Sequence, residues 1–238
     1  LKNLQMNPAF IRKEYDLFED EHNLQKNIGS VYQNKKRIEA IKEAAKNNIN
    51  VAILDDGFQD FSIKKNFSII CFNEKQWIGN GLTIPSGPLR ESLSALKKAD
   101  CVVINGKKNE YIENRIFSEN DKLKIFYSQY KPQNIEEFQN KKIIAFAGIG
   151  NPENFFDLLK ENKLNIVKEI KFPDHHKYSE KELENLLNNI RDENSTLLTT
   201  EKDYFRIFEK YKKKIKFLKI NIEIKNKNQF IEEIKKII

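Results

Sequence analysis

The chain has 238 residues, which is room for one large domain or two small ones and for a core that needs no disulfide or metal to fold. With 39% hydrophobic and 32% charged residues, the composition is that of a globular protein and excludes a disordered one. No apolar run approaches the roughly 18 residues of a membrane-spanning helix, and the first residues are not those of a signal peptide. The net charge of +7, mostly from lysines spread along the chain, predicts mild attraction to anions.

The cysteine and histidine content argues against a metal centre built on these residues. Cys71 and Cys101 each lie in an apolar run, FSIICF and ADCVVI, which predicts two buried thiols in a reducing compartment and neither a disulfide framework nor a zinc site. Three histidines are too few for a histidine-rich metal site.

Short strands alternate with helices along the chain, which predicts an α/β fold with mainly parallel sheets. In the first part we expect helices at 35–46 and 91–98, and strands at 51–54, 67–72, 101–105 and 124–128. After a polar segment near 130–142 that is typical of a linker, we expect strands at 143–150, 164–172, 195–200 and 215–224, and helices at 151–162, 179–190, 203–208 and 226–238.

The sharpest local feature is VAILDDGFQ, residues 51–59, in which two carboxylates follow four apolar residues that predict a buried strand. Ligands of open α/β sheets bind at the carboxyl ends of the strands. Adjacent Asp55 and Asp56 would suit a magnesium ion, as the Walker B acid does in phosphate-transferring enzymes. A simple turn after the strand explains the same residues about as well. The phosphate-binding Walker A pattern is absent from this chain.

The segment FPDHHKY, residues 172–178, places Asp174, His175 and His176 in one predicted loop. A neutral imidazole is a natural acceptor for a hydroxyl proton, so a general base or a substrate contact is favoured over a metal ligand. An exposed or helix-capping histidine is the alternative interpretation.

Glycine- and proline-rich segments supply further candidates. The uncharged loop 76–89 is long enough to suggest a function, and Arg90 after it could bind phosphate through two hydrogen bonds. The alternative for Arg90 is a surface ion pair at a helix start, and Glu91 would suit the first turn of that helix. The amides of GIGNPE, residues 148–153, could hold an anion, but a tight turn between strand and helix is favoured. TTEKD, residues 199–203, is expected to form an exposed turn.

Taken together, these motifs resemble the tetraacyldisaccharide 4′-kinase family, the lipid A 4′-kinases of Gram-negative bacteria. The matching stretches follow the order of the family, at residues 55–59, 79–91, 147–156, 172–178 and 199–203. The resemblance implies transfer of the γ-phosphate of ATP, with Mg²⁺, to the 4′-hydroxyl of a tetraacyldisaccharide 1-phosphate. It also implies a peripheral protein at the cytoplasmic face of the bacterial inner membrane, where a basic chain meets an anionic surface.

The same resemblance implies a domain organisation. Residues 1–131 would be the remainder of a P-loop NTPase-like core with a mainly parallel sheet, and 132–142 would be a linker. Residues 143–238 would form a smaller C-terminal α/β domain whose last helix packs back on the core.

The resemblance also implies roles for particular residues. Asp20 and His175 would form a catalytic dyad in which the carboxylate orients the imidazole that takes the hydroxyl proton. Asp55 and Asp56 would bind the metal. The substrate or phosphate contacts would be Arg37, Gln59, Arg90 and Glu91, with Glu21 and Asp174 in supporting positions.

Some features depart from the family. Glu19 and His22 stand where the family has glycine and proline, and Asp60 stands where it usually has histidine. The Walker A segment and a membrane-docking helix would lie before Leu1, so this chain by itself is expected to transfer little or no phosphate. The other class of function that we considered is a basic nucleic-acid-binding module, but the chain has no recognised nucleic-acid motif and no nucleic acid partner is expected.

Overall fold

The computed structural model describes residues 5–14, 19–190 and 194–237, the side chains of residues 19–23 excepted. The strands within these residues are β1 (Pro8–Lys13), β2 (Ser30–Asn34), β3 (Val51–Leu54), β4 (Ile69–Asn73), β5 (Cys101–Asn105), β6 (Lys124–Pro132), β7 (Lys142–Ala147), β8 (Asn165–Lys171), β9 (Ser195–Thr200), β10 (Ile215–Leu218) and β11 (Ile220–Ile224). The helices are α1 (Glu19–Ile28), α2 (Arg37–Lys46), α3 (Glu110–Glu119), α4 (Pro152–Glu161), α5 (Glu180–Leu187), α6 (Glu201–Phe205), α7 (Glu209–Lys212) and α8 (Lys227–Lys235). Among the described helices, none has the length and apolar character needed to cross a membrane.

The strands form three sheets, in the orders β2-β1-β3, β10-β9-β7-β8 and β11-β6-β5-β4. Strand β1 runs parallel to both of its neighbours, as do β5 and β7, and β9 runs parallel to β10. The chain divides into two compact units. The first holds the residues up to Asp55 together with Pro132–Ile220, and the second holds Asp56–Lys131 together with the residues from Asn221 onward.

The first unit contains a four-stranded sheet that is covered by apolar side chains on both faces. Along β7 the side chains of Ile143, Ala145 and Ala147 join one buried cluster with Phe156 of α4, because alternate residues of a strand point to opposite faces. Ile144 and Phe146 join a second cluster with Leu183 and Leu186 of α5. A strand buried on both faces has a continuous run of apolar residues, such as IIAFA at 143–147.

The second unit repeats this arrangement around β5. Val102 and Ile104 pack with Ile112 and Ile116 of α3 on one face of the sheet. Cys101 and Val103 pack with Phe126 on the other face, where Phe230 of α8 lies edge-on to Phe126 with ring centroids 5.1 Å apart. The end of the chain therefore packs with residues 56–131 in this unit.

Several local expectations differ from the structure. The predicted strand 215–224 is two strands, since β10 pairs with β9 while β11 lies beside β6 in a different sheet. The predicted helix 91–98 is a shorter 3₁₀ helix, Leu93–Lys98. Within the segment expected as a linker, the side chain of Phe138 is fully buried in the core of the first unit. The division into domains at 131 and 143 stays a prediction.

The expectation of two buried thiols is wrong for Cys71, which is exposed, and correct for Cys101. Strand β4 is at the edge of its sheet, and alternate residues of it are exposed. Burial raises the pKa of Cys101 to about 12, so its reactive thiolate is scarce at neutral pH.

We expect a thiol reagent to modify Cys71 in the folded protein and Cys101 only after unfolding. Cys71→Ser should abolish labelling of the folded protein; equal labelling rates of both thiols would contradict the burial of Cys101.

Candidate active site

The carboxylate of Asp55 follows β3 and is surrounded by donors from neighbouring elements of the first unit. Gln25 Nε2 of α1 donates to Asp55 Oδ2 at 2.9 Å, and Arg12 Nε of β1 lies 4.0 Å from the same oxygen. Arg37 Nη2, at the start of α2, donates to the backbone oxygen of Asp55 at 2.8 Å. The described residues supply no partner for Asp55 Oδ1, and the side chain is 43% exposed. One carboxylate oxygen is therefore held in place while the other is available.

Arg12 is a site residue that the sequence analysis missed. It lies on β1 directly after Ile11. Ile11 is paired with Leu54, the residue directly before Asp55. Arg12 and Arg37 are both buried. Two buried guanidiniums beside a carboxylate at the carboxyl ends of parallel strands form a cationic site that suits phosphate oxygens.

Asp56 begins the second unit and differs from Asp55 in its surroundings. Its Oδ2 accepts a hydrogen bond from Arg90 Nη1 at 2.6 Å, so the structure brings these two predicted residues together. The backbone of Asp56 is left-handed, with φ of +53°. A non-glycine residue in this region costs about 1 kcal/mol, and aspartate tolerates it in turns better than most residues do.

Glu91 and Gln59 lie in the same unit. Glu91 Oε2 is 3.8 Å from Lys98 Nζ, while Glu91 Oε1 is buried without a partner among the described residues. Gln59 is partly buried. An acceptor atom that is buried without a hydrogen bond destabilises the fold. A ligand that donates a hydrogen bond to Glu91 Oε1 would remove this cost.

The uncharged loop 76–89 is an ordered turn. Asn80 Nδ2 donates to the Ser86 oxygen at 2.8 Å, and Asn80 Oδ1 accepts from Leu82 N at 3.1 Å. A Cβ on Gly87 would lie 2.2 Å from Asn80 Oδ1, so only glycine fits there. The folded loop exposes the side chains of Leu82 and Ile84 to solvent.

In the first unit, the fully buried carboxylate of Asp203 organises a further group of polar side chains. It accepts hydrogen bonds from Gly148 N at 3.0 Å, Tyr178 Oη at 2.9 Å, Thr200 Oγ1 at 2.7 Å and Arg206 Nη1 at 3.1 Å. The expectation that TTEKD is an exposed turn is therefore wrong. Thr200 caps α6 by accepting from Asp203 N, so the T-x-x-D spacing was the available signal.

The turn at GIGNPE is shaped by this network and does not offer its first amide to an anion. Gly148 N is already bonded to Asp203, and a Cβ at Gly148 would lie 3.0 Å from Tyr178 Oη. Burial, reinforced by the Asp203 carboxylate, raises the pKa of Tyr178, so its hydroxyl stays protonated and donates. The favoured interpretation, a tight turn between strand and helix, agrees with these contacts.

His175 projects from the loop after β8 and contacts the same network. Its Nδ1 lies 3.2 Å from Arg206 Nη2, and its backbone N donates to the Gly148 oxygen at 3.1 Å. Asp174 Oδ1 also accepts from His175 N, at 2.9 Å, so Asp174 supports the turn. The backbone of His175 is left-handed, with φ of +55°. The ring is 31% exposed, which leaves it accessible to a substrate.

His176 turns away from this group. Its ring stacks on Phe172 with centroids 4.8 Å apart, and its Nε2 lies 3.1 Å from Glu182 Oε1. Of the two adjacent histidines, His176 therefore has a packing role, and His175 is the candidate for chemistry.

The side chains of Asp20 and Glu21 lie outside the described residues. Their backbone forms the first turn of α1, and α1 packs against α6, the helix that carries Asp203. The pairing of Asp20 with His175 stays a prediction.

Removing the Asp203 carboxylate should destabilise the first unit strongly. Asp203→Ala leaves the Arg206 guanidinium, whose side chain is 10% exposed, without its buried counter-charge. We expect a loss of about 3–5 kcal/mol in the free energy of unfolding, measured by urea denaturation. As a matched control, Glu209→Ala removes a carboxylate that is 88% exposed and paired with Lys212, and should cost less than about 0.5 kcal/mol. Similar losses in both variants would contradict a structural role of the Asp203 network.

Mg²⁺ fits the residues present at the start of the DDGFQ segment. The described part of the chain holds no cluster of three or more histidine, cysteine or acidic side chains, so a complete protein cage for a metal is not found there. Mg²⁺ commonly uses only one or two carboxylates, with phosphate and water oxygens as its other ligands. Asp55, with one oxygen fixed and one available, has the chemistry that such a site requires.

The comparisons with known proteins agree with one another. A family model described as tetraacyldisaccharide-1-P 4′-kinase matches residues 20–238. The tetraacyldisaccharide 4′-kinase of Pelagibacter ubique is 39% identical over 232 residues, covering 96% of this chain and 74% of that relative. The enzyme of the same name from Parvibaculum lavamentivorans is 35% identical over 172 residues, covering 72% of this chain and 50% of that relative.

A solved structure shares the fold. The crystal structure of the "apo" form of LpxK from Aquifex aeolicus in complex with ATP covers 99% of this chain with a TM-score of 0.72 and 20% sequence identity, and this chain covers 80% of it. At this identity the match establishes the architecture. The predicted fold class, an α/β chain with mainly parallel sheets like those of this kinase, is confirmed.

Proposed function

This chain belongs to the tetraacyldisaccharide 4′-kinase family, and we propose that it takes part in transferring the γ-phosphate of ATP to the 4′-hydroxyl of a tetraacyldisaccharide 1-phosphate in lipid A synthesis. The observation that most strongly supports the proposal is the arrangement of side chains around Asp55. A half-exposed carboxylate lies at the end of a parallel strand, with two buried arginines beside it. Carboxylate and guanidinium groups in this position are what a metal-bound phosphate requires.

Asp55 and Asp56 are the proposed acidic residues of the metal site, with different tasks. Asp55 would bind Mg²⁺ through Oδ1, because Gln25 and Arg12 already hold Oδ2. Asp56 is paired with Arg90, so it would also fix the direction of that guanidinium. When bound, Mg²⁺ would neutralise charge on the phosphates.

The phosphate oxygens would be bound by Arg37, Arg90 and the additional residue Arg12. Gln59 and Glu91 would contact substrate. Glu91 Oε1, which is buried and has no partner among the described residues, is the oxygen to which a substrate hydroxyl would donate. Phosphate transfer depends mainly on positioning and on charge stabilisation, which these side chains supply.

His175 would accept the proton of the 4′-hydroxyl, with Asp20 as its carboxylate partner. The partly exposed side chain, which a substrate can reach, supports this role. Packing of α1 against α6 supports the pairing with Asp20. Glu21 and Asp174 are proposed to hold the two partners in position.

The protein would bind the lipid part of the substrate at an anionic membrane surface, the cytoplasmic face of the inner membrane. Exposed Leu82 and Ile84 in an uncharged loop and the net charge of +7 support this. The protein should sediment with vesicles of phosphatidylglycerol and remain in the supernatant with phosphatidylcholine, at low salt. Equal sedimentation with both vesicles would contradict electrostatic binding.

The test of the proposed activity is acceptor specificity. The protein expressed from its full coding frame should transfer labelled γ-phosphate to tetraacyldisaccharide 1-phosphate in the presence of Mg²⁺, and not to an analogue that lacks the 4′-hydroxyl. Transfer to both acceptors would contradict the assigned position of phosphorylation.

Binding to mixed oligonucleotides is expected to be weak, and tight salt-dependent binding would favour a nucleic acid partner.

A further inference from the structure

Arg206 connects the buried Asp203 network to the imidazole of His175. Its Nη1 donates to the Gly148 oxygen at 2.8 Å and to Asp203 Oδ1 at 3.1 Å, while its Nη2 lies 3.2 Å from His175 Nδ1. The side chain is 10% exposed, and the backbone N of His175 is bonded to the same Gly148 oxygen. The backbone of His175 and the guanidinium of Arg206 are therefore both anchored on the Gly148 oxygen.

The chemistry of the two side chains determines the direction of this contact. A guanidinium has five N–H donors and no acceptor, so His175 Nδ1 must be the acceptor. A neutral imidazole carries one proton, which then lies on Nε2. The contact with Arg206 thus selects one of the two neutral tautomers of His175.

We propose that Arg206 is a positioning residue that keeps the proton of the neutral His175 ring on Nε2 and reserves Nδ1 as the accepting nitrogen. The catalytic consequence rests on the proposed function. The substrate hydroxyl replaces Arg206 Nη2–H as the donor to Nδ1, while Arg206 Nη1 keeps its hydrogen bonds to Asp203 and to the Gly148 oxygen. Its O–H bond breaks, an N–H bond forms at Nδ1, and the oxygen keeps the electron pair with which it attacks the phosphoryl group.

The tautomer can be measured directly and without turnover. The chain has only three histidines, so ¹⁵N-histidine labelling gives few ring signals, and the variant His175→Ala identifies those of His175. Long-range ¹H–¹⁵N correlation spectra at a pH where the ring is neutral distinguish the two tautomers. We expect the Nε2–H form in the parent protein and in Arg206→Lys, which keeps a cationic donor. Arg206→Leu should populate the Nδ1–H form, while the signals of His176, paired with Glu182, stay unchanged.

The outcomes separate this proposal from the proposed function. An Nδ1–H ring in the parent protein would overturn the proposal, whether or not Arg206→Leu folds. An unchanged tautomer in folded Arg206→Leu would do the same. In the kinase assay, Arg206→Leu should lower kcat about 10–100-fold with the KM for ATP unchanged, and Arg206→Lys should recover most of the loss. If the parent transfers no phosphate, the proposed function fails, and the spectra still decide the role of Arg206.

Discussion

Asp55→Asn is expected to lower the rate of magnesium-dependent phosphate transfer about 10³-fold, equivalent to ~4 kcal/mol of lost transition-state stabilisation. The substitution keeps the size of the side chain and an oxygen that can accept from Gln25 Nε2. It removes the negative charge that would bind the metal through Oδ1. The measurement is the initial rate with labelled ATP as Mg²⁺ is varied, using the protein from its full coding frame.

The control for this prediction is Glu39→Gln. This substitution also removes one negative charge from the first unit. The Glu39 carboxylate, however, lies on the solvent side of α2, where its Oε1 is 3.0 Å from Lys42 Nζ. Its rate should stay close to that of the parent, because an exposed pair of this kind contributes little. If Asp55→Asn retained normal turnover at ordinary Mg²⁺ concentrations, Asp55 would have no part in binding the metal.

His175→Ala should lower kcat by about 10²–10⁴-fold, the usual contribution of a general base, with only a modest change in the KM for ATP. The reason is that the imidazole would act on the acceptor hydroxyl and not on the nucleotide. Steady-state rates at saturating acceptor and varied ATP separate the two parameters.

The adjacent histidine provides a matched control. His176→Gln removes a ring that stacks on Phe172 and lies beside Glu182, away from Arg206. We expect a kcat within a few-fold of the parent, so the two variants test one loop at neighbouring positions. An unchanged kcat in His175→Ala would remove His175 from the role of base.

The features that sequence predicts well here are those encoded locally. Four apolar residues followed by two carboxylates at 51–56 specify a strand with acids at its end, and the structure has β3 and Asp55 there. The burial predicted for this strand is wrong, because β3 is at the edge of its sheet and none of its four residues is buried. The Ser179 cap of α5 is a complete capping box, so that helix could be located from its first turn. Alternation of such elements was sufficient for the fold class.

The features that sequence did not predict depend on contacts between distant elements. Arg12 becomes a site residue only because β1 lies beside β3 in a parallel sheet, and β1 itself was not predicted. Asp203 and Arg206 meet Gly148 across more than fifty residues of sequence. Cys71 and Cys101 occupy similar apolar runs, yet one lies on an edge strand and the other on a central strand of the same sheet. Periodicity alone does not distinguish these positions.

The most direct test of the central claim is a transfer assay with tetraacyldisaccharide 1-phosphate, labelled ATP and Mg²⁺, run side by side on the parent, Asp55→Asn and His175→Ala from the full coding frame. Folding of each variant is checked first by its urea unfolding curve. The expected result is phosphate on the 4′-hydroxyl with the parent and strongly reduced transfer with both folded variants. Transfer by the folded variants at the rate of the parent, or no transfer by the parent at saturating ATP and Mg²⁺, would contradict the account.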